Sequence, residues 1–306
     1  MVVDVAAVVL QNTRLSASYN VLELAAPEIA AATRPGQFVM LRPQRGWDPL
    51  LRRPFSVFEI VRDEAGRTIG LSILNKRVGV GTGQLYDAEP GQRVGVLGPL
   101  GRPFVPVAPP EEAWMVAGGV GLAPFATLAE ALAAHRTPMT LFYGGRSASD
   151  LYRASFFEAL GARLVLTTED GSRGERGRVT APLERELAGR TPGRAVTIYA
   201  CGPTPMMRAV AATGAKAGCP VYVSLEPIMG CGLGGCYSCV VPVWDGPRRS
   251  AEPEEGLPHR SAEPEAGLPR RSAEREGGSH HVRCCIEGPV FEASTLDWVK
   301  LSATGH

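Results

Sequence analysis

Cys231, Cys236 and Cys239 stand in the run Met-Gly-Cys-Gly-Leu-Gly-Gly-Cys-Tyr-Ser-Cys-Val-Val, and a further pair, Cys284 and Cys285, follows after a long gap. A C-x4-C-x2-C loop with a fourth thiolate arriving from elsewhere is the plant-type ligand pattern of a [2Fe–2S] cluster. Gly230, Gly232, Gly234 and Gly235 suit that chemistry. A loop around a cluster must turn its backbone inward and aim N–H groups at sulfur, and glycine reaches positive φ without a Cβ clash. Zinc is the competing ligand, but structural zinc sites usually pair their ligands as two short hooks. Disulfides fit poorly, with seven cysteines in the chain and no secretion signal.

Upstream motifs offer sites for larger groups. Arg53-Pro54-Phe55-Ser56 supplies an arginine for a phosphate and a hydroxyl for a heterocycle on a stiff Pro-aromatic step; taken alone it is equally a surface arginine before a strand. Val78-Gly79-Val80-Gly81-Thr82-Gly83 reads as a glycine-rich turn, either plain or facing a pyrophosphate. Val116-Ala117-Gly118-Gly119-Val120-Gly121-Leu122-Ala123-Pro124-Phe125 runs from a hydrophobic strand through glycines into a helix, which sets a helix N-terminus against a pyrophosphate. It is not G-x-G-x-x-G, because Pro124 takes the place of the third small residue. Cys201-Gly202-Pro203 ends a further strand, where parallel sheets bind ligands; a buried structural thiol is the alternative for Cys201. No Ser-His-Asp set, H-E-x-x-H or Walker loop is present.

These motifs need two kinds of scaffold. Residues 5–10, 21–24, 37–41, 55–60, 69–73 and 93–97 are short apolar runs between Gly and Pro, which predicts a six-stranded antiparallel barrel over 1–103 without a convincing helix. From 104 to 224 strands at 113–116, 139–143, 163–167, 196–201 and 220–224 alternate with helices at 123–135, 155–160, 179–187 and 204–217, which predicts a parallel α/β domain. Residues 225–306 form the cysteine-bearing domain. Within it, 248–258, 259–269 and 270–280 are three copies of an eleven-residue unit rich in Pro, Glu, Arg, Ser and Gly, which reads as a disordered insert over 248–280. The net charge of +1 argues against nucleic-acid or electrostatic membrane partners. No apolar run is long enough to span a bilayer. A reducing cytoplasm suits the thiols.

The order of R-P-F-S, G-x-G-T, G-G-x-G-x-A-P, C-G-P and a terminal cysteine loop resembles the ferredoxin-reductase superfamily. With the cluster at the C-terminus, the chain resembles the electron-transfer subunits of class 1B dihydroorotate dehydrogenase. The resemblance implies FAD on the barrel, with Arg53 at its phosphates, Pro54, Phe55 and Ser56 along the flavin, and Gly79, Gly81 and Thr82 at the pyrophosphate. It implies NAD at Gly118, Gly119 and Gly121, with Cys201, Gly202 and Pro203 at the nicotinamide end. In that family's closing segment the fourth ligand precedes Gly-Pro-Val-Phe with two residues between, which picks Cys285 beside Cys231, Cys236 and Cys239 and leaves Cys284 a bystander. It further implies an FMN-containing catalytic subunit that oxidises dihydroorotate for pyrimidine biosynthesis, a heterotetramer, and no acid–base residue at the flavin. The family's hairpin between the third and fourth cysteines is much shorter than the 45 residues here. A subunit serving ferredoxin or sulfide chemistry, and a zinc-stabilised interaction module, are the other readings.

Overall fold

The computed structural model describes residues 1–43, 49–190, 193–245 and 278–303. Seven strands, β1 (Val3–Arg14), β2 (Tyr19–Ala25), β3 (Phe38–Pro43), β4 (Arg53–Ser56), β5 (Ile60–Arg62), β6 (Thr68–Lys76) and β7 (Arg93–Leu100), make an antiparallel sheet in the order β4-β3-β7-β1-β2-β6-β5. The run 55–60 is not one strand. It breaks at Val57–Glu59, where the Val57 N–H donates to the Gln37 carbonyl (3.0 Å) and the Phe58 N–H to that of Ser72 (2.9 Å). The chain therefore crosses from the β3 edge to β6, which curls the sheet toward a barrel and raises the strand count to seven. The interior is filled by inward-facing residues such as Val9, Leu22, Leu24, Val39, Leu41, Ile73 and Val96. Two short helices also belong to this unit, α1 (Pro27–Ala32) and α2 (Val80–Tyr86). The predicted glycine turn is the start of α2.

The second sheet has β11 (Glu175–Arg176), β10 (Arg163–Thr168), β9 (Met139–Gly145), β8 (Glu112–Gly118), β12 (Val196–Cys201) and β13 (Val221–Ser224) side by side and parallel, with β16 (Val290–Glu292) at the edge beyond β13. Strand β12, an interior strand beside the central β8, is buried along its whole length, as expected where helices cover both faces. Helices α3 (Phe125–Ala134) and α4 (Ala154–Ala159) pack on one face through Phe125, Leu128, Leu132 and Phe157. Helices α5 (Thr180–Ala188) and α6 (Thr204–Lys216) pack on the other through Leu183, Leu187, Met207 and Val210. The predicted helix 123–135 opens as a 3-10 turn over Gly119–Leu122 before α3 begins at Phe125.

The cysteine-bearing segment does not stand apart. Strands β14 (Val240–Trp244) and β15 (Ser279–Arg283) form a hairpin, and β16 (Val290–Glu292) pairs antiparallel with β13 at the edge of the second sheet. Ser279 and His280, expected in the insert, are paired with Trp244 and Val243. Cross-strand pairing thus reclaims the end of the third repeat; the other repeat residues, 248–277 with Gly278 excepted, lie outside the described residues. One apolar cluster joins Phe38, Met40, Leu97 and Leu100 of the barrel, the α5 and α6 faces, and Cys239, Val241, Cys284 and Cys285. No described helix is long and apolar enough to cross a membrane.

Candidate functional site

On the barrel, β3 pairs with β4 so that Met40 faces Pro54, Leu41 faces Arg53, and Phe38 faces Ser56. All four residues of R-P-F-S are half-buried. The first turn of α2 lies against them. A Cβ on Gly81 would stand 3.6 Å from Arg53 Cγ and 3.7 Å from its Nε. Arg53 and Gly81 are therefore brought together, with Gly79 just before the same helix. Thr82 differs from expectation. Its hydroxyl accepts the Val78 and Gly79 N–H groups (2.9 Å each) and donates to the Gly79 carbonyl (3.1 Å), so it ties the helix start rather than standing open. The other end of α2 is held by a buried asparagine chain that the sequence reading missed. Asn75 Nδ2 donates to the Thr82 carbonyl (3.0 Å) and to Asn20 Oδ1 (2.8 Å), and Asn20 Nδ2 donates to Asn12 Oδ1 (2.7 Å). Asn12 Nδ2 closes the chain on the Tyr86 and Ala88 carbonyls (2.9 and 2.7 Å). Isolated polar residues on alternating strands give no sequence signal of meeting.

A cleft of about 790 Å³ opens between the two sheets. Gly118, Gly119, Gly144, Gly145, Arg146, Glu169, Gly202 and Pro203 border it from the carboxyl ends of the parallel strands, and Tyr19 and Lys76 border it from the barrel. Ligands of open α/β sheets bind at this edge. Gly119, at φ +57 with open space beyond it, carries the backbone around the end of β8. Gly121 and Cys201 do not line the cleft. A Cβ on Gly121 would lie 2.2 Å from the Cys201 carbonyl oxygen, so this glycine lets the G-G-V-G turn press onto β12 beneath the cleft floor. Cys201 is buried, and its Sγ stands 3.8 Å from Glu226 Oε1. Burial pushes the Cys201 thiol well above its usual range, with Glu226 adding to the rise. Glu226 is an exposed residue that borders the cleft, where the protein atoms around it raise its carboxyl. Glu226 was missed; its place directly after the last parallel strand was the available signal.

The cysteine loop is the third station. Gly232 and Gly234 have φ of +73 and +78. A Cβ on Gly232 would stand 2.6 Å from Met40 Cγ and 3.1 Å from Leu100 Cδ1, so bare backbone lets the loop seat on β3 and β7. Cys284 and Cys285 open the short helix α7 (Cys284–Glu287) after β15, and the Cys284 N–H donates to the Cys239 carbonyl (2.9 Å), which locks the hairpin exit to the loop. The four thiols are neighbours: Cys231 acts on Cys236, and Cys239 and Cys231 act on Cys285. Backbone N–H groups reach sulfur, Leu233 to Cys231 (3.3 Å) and Gly234 to Cys285. The Ser238 hydroxyl and N–H, with Cys231, hold the exposed Cys236 thiol down at about 6, while burial and Cys239 push Cys285 up to about 12. Cys284 turns away into the core, its Sγ 4.0 Å from the Leu225 carbonyl. Among the described residues no compact cage for a single metal ion forms from His, Cys, Asp or Glu. Four neighbouring thiols with backbone N–H donors suit a two-iron cluster, which takes two thiolates per iron.

Residues 115–212 match the oxidoreductase NAD-binding domain, and residues 226–251 match the iron-sulfur cluster binding domain of dihydroorotate dehydrogenase B. The chain is 34% identical over 282 residues to the electron transfer subunit of dihydroorotate dehydrogenase B (NAD(+)) from Desulforamulus reducens, covering 90% of this chain and 92% of the relative. The chain belongs to that family. The corresponding subunit of Geobacillus thermodenitrificans is 38% identical over 224 residues, covering 72% of this chain and 82% of its own length. Among solved structures, the NADH-dependent reduced ferredoxin-NADP oxidoreductase described in work on flavin-based electron bifurcation has the same fold, with a TM-score of 0.74 at 24% identity over 98% of this chain and 92% of its own. The ferredoxin reductase of carbazole 1,9a-dioxygenase shares it with a TM-score of 0.62 at 22% identity, over 72% and 69%. This electron-transfer subunit is an NAD-dependent oxidoreductase component that works with a catalytic partner.

Proposed function

We propose that this chain passes electrons between a partner's FMN, where dihydroorotate is oxidised, and NAD, through a [2Fe–2S] cluster on Cys231, Cys236, Cys239 and Cys285 and through FAD on the barrel. The observation that carries it is the contact of the cysteine loop with the flavin strand's neighbour: Gly232 lies against Met40, and Met40 is paired with Pro54 of R-P-F-S. One strand thus separates the two redox stations. When bound, FAD converts two-electron hydride exchange into single-electron steps for the cluster.

The chain's own residues position these groups. Arg53, beside Gly81, would hold the flavin's phosphates once its guanidinium leaves the Leu51 and Arg52 carbonyls; Pro54, Phe55 and Ser56 would hold the ring; Gly79 and Gly81 let α2 approach, with Thr82 fixing its first turn. Gly118, Gly119, Gly202 and Pro203 shape the coenzyme cleft, while Gly121 and Cys201 support its floor. The three functional regions follow the bounds 1–103, 104–224 and 225–306, although β16 of the third completes the sheet of the second. Ile228, Leu233, Tyr237 and Ile286 are exposed apolar side chains around the cysteines, a surface suited to the catalytic subunit in a heterotetramer. All described cysteines are free, which suits a reducing cytoplasm.

The test is anaerobic purification with the FMN-containing catalytic subunit, followed by iron, zinc and flavin analysis and an assay of dihydroorotate-dependent NAD reduction. Iron and FAD with that activity are expected. Zinc without iron, absence of FAD, or no NAD reduction by the reconstituted complex refutes the proposal.

A further inference from the structure

Arg146 is the first residue beyond β9 and borders the cleft. In doubly wound sheets the end of the second strand is where the adenosine ribose is read. There a carboxylate favours a free 2′-hydroxyl and an arginine accommodates a 2′-phosphate. Here both are present, and they are bound to each other. Asp150 Oδ2 accepts from the Arg146 backbone N–H (3.2 Å) and from its Nε (3.1 Å). The arginine side chain is 73% exposed and the aspartate side chain only 9%. Asp150 is fixed from behind. Its carbonyl accepts from Tyr143 Oη (2.9 Å), and a Cβ on Gly145 would lie 2.8 Å from the Asp150 Cβ, so only glycine lets the carboxylate this close to the strand end.

We infer that Asp150, by holding Arg146, makes the cleft select a coenzyme with a free 2′-hydroxyl over one carrying a 2′-phosphate. The inference rests on the dinucleotide reading of this cleft. A phosphate at the 2′ position brings negative charge toward Asp150 and toward Glu169, which also borders the cleft and acts electrostatically on Arg146. At the strand end the buried Asp150 carboxylate engages Arg146 through its Nε, and Lys76 borders the same cleft from the barrel. Arg178 also borders the cleft. Replacing the Asp150 charge by an amide keeps an acceptor for the Arg146 N–H but releases the guanidinium for a phosphate.

The test uses the flavin- and cluster-loaded protein and compares kcat/KM for NADH and NADPH with ferricyanide as acceptor. Asp150→Asn should raise the NADPH-to-NADH ratio on the order of tenfold, the worth of one partly screened charge, through a lower KM for NADPH. Asp150→Glu should keep the ratio low. Adding Arg146→Ala to Asp150→Asn should cancel the gain, which a merely structural aspartate would not do. A ratio that stays at the wild-type value in Asp150→Asn, or a gain that survives Arg146→Ala, overturns the inference. If Asp150→Asn does not hold flavin, Glu169→Gln takes its place with 2′,5′-ADP and 5′-AMP as competing inhibitors. The 2′,5′-ADP must tighten relative to 5′-AMP, and no tightening overturns the inference. A wild-type protein that oxidises neither coenzyme refutes the cleft reading instead, so the two failures are distinct.

Discussion

Adjacent cysteines with opposite surroundings make a sharp test of the cluster site. Cys285 faces Cys239 and the Gly234 N–H, while Cys284 is fully buried in the core with only the Leu225 carbonyl at 4.0 Å. Cys284→Ala removes one buried sulfur and nothing that binds, which costs about 1 kcal/mol. For a unit of this size that lowers Tm by roughly 2–4 °C. Cys284→Ser is harsher, because the hydroxyl is buried without a well-placed acceptor, a cost of about 1–3 kcal/mol. Neither should change the iron content or the reduced-state EPR signal. Cys285→Ser removes one of the two thiolates on one iron, so both iron and the EPR signal should be lost while the fold, measured by circular dichroism, persists. Iron retained in Cys285→Ser and lost in Cys284→Ala would show that the ligand assignment is off by one.

Other consequences follow from close approaches and from the hairpin. Gly121→Ala places a Cβ 2.2 Å from the Cys201 carbonyl oxygen and 2.5 Å from its carbon. Overpacking against backbone costs roughly 1–3 kcal/mol, so Tm should fall and the KM for NADH should rise, with flavin and cluster absorbance retained; an unchanged KM contradicts the packed-floor account. Deleting 246–277 joins Asp245 to Gly278 directly after the Trp244–Ser279 pair, leaving an Asp-Gly two-residue loop of the kind hairpins favour. Shortening the loop by about four doublings should stabilise the hairpin by roughly 2 kcal/mol, and loss of the cluster in this variant would show that the insert supports it. In cluster-free protein at pH 7, Cys236 at about 6 is mostly thiolate. An ordinary thiol is about 3% ionised, but the lower pKa also weakens the nucleophile by about tenfold, so iodoacetamide should label Cys236 a few-fold faster than an unperturbed cysteine. The buried Cys201 and Cys284, whose thiols burial holds neutral, should label last by peptide mass spectrometry.

Much of the architecture was legible because its signals are local. The strand at 196–201 and the helix near 204 follow from apolar runs and breaks that no distant residue alters, and they are found almost where expected. The break at Val57–Glu59 was not legible, since Phe55 to Ile60 reads as one apolar run and only the crossing from Gln37 to Ser72 splits it. The Gly79–Thr82 segment read as a turn because two glycines depress helix propensity. The asparagine chain beneath α2 holds the helix in place despite them. Ser279 and His280 carry the composition of the repeat, yet a partner strand more than thirty positions away makes them a strand.

By itself the sequence determined the cofactor chemistry. Thiol spacing, glycine placement and the order of motifs are properties of short segments, and the ligand types they suit follow from donor softness and backbone freedom. Only the tertiary structure decided which of these residues reach a common site. It turned Cys284 into the core, moved Gly121 and Cys201 from the cleft surface to the layer below, spent the Thr82 hydroxyl on a helix start, and bound Arg146 to Asp150. Each outcome depends on atoms within about 4 Å that come from strands far apart in the chain, and side-chain direction at that range is set by packing, which spacing along a sequence does not encode.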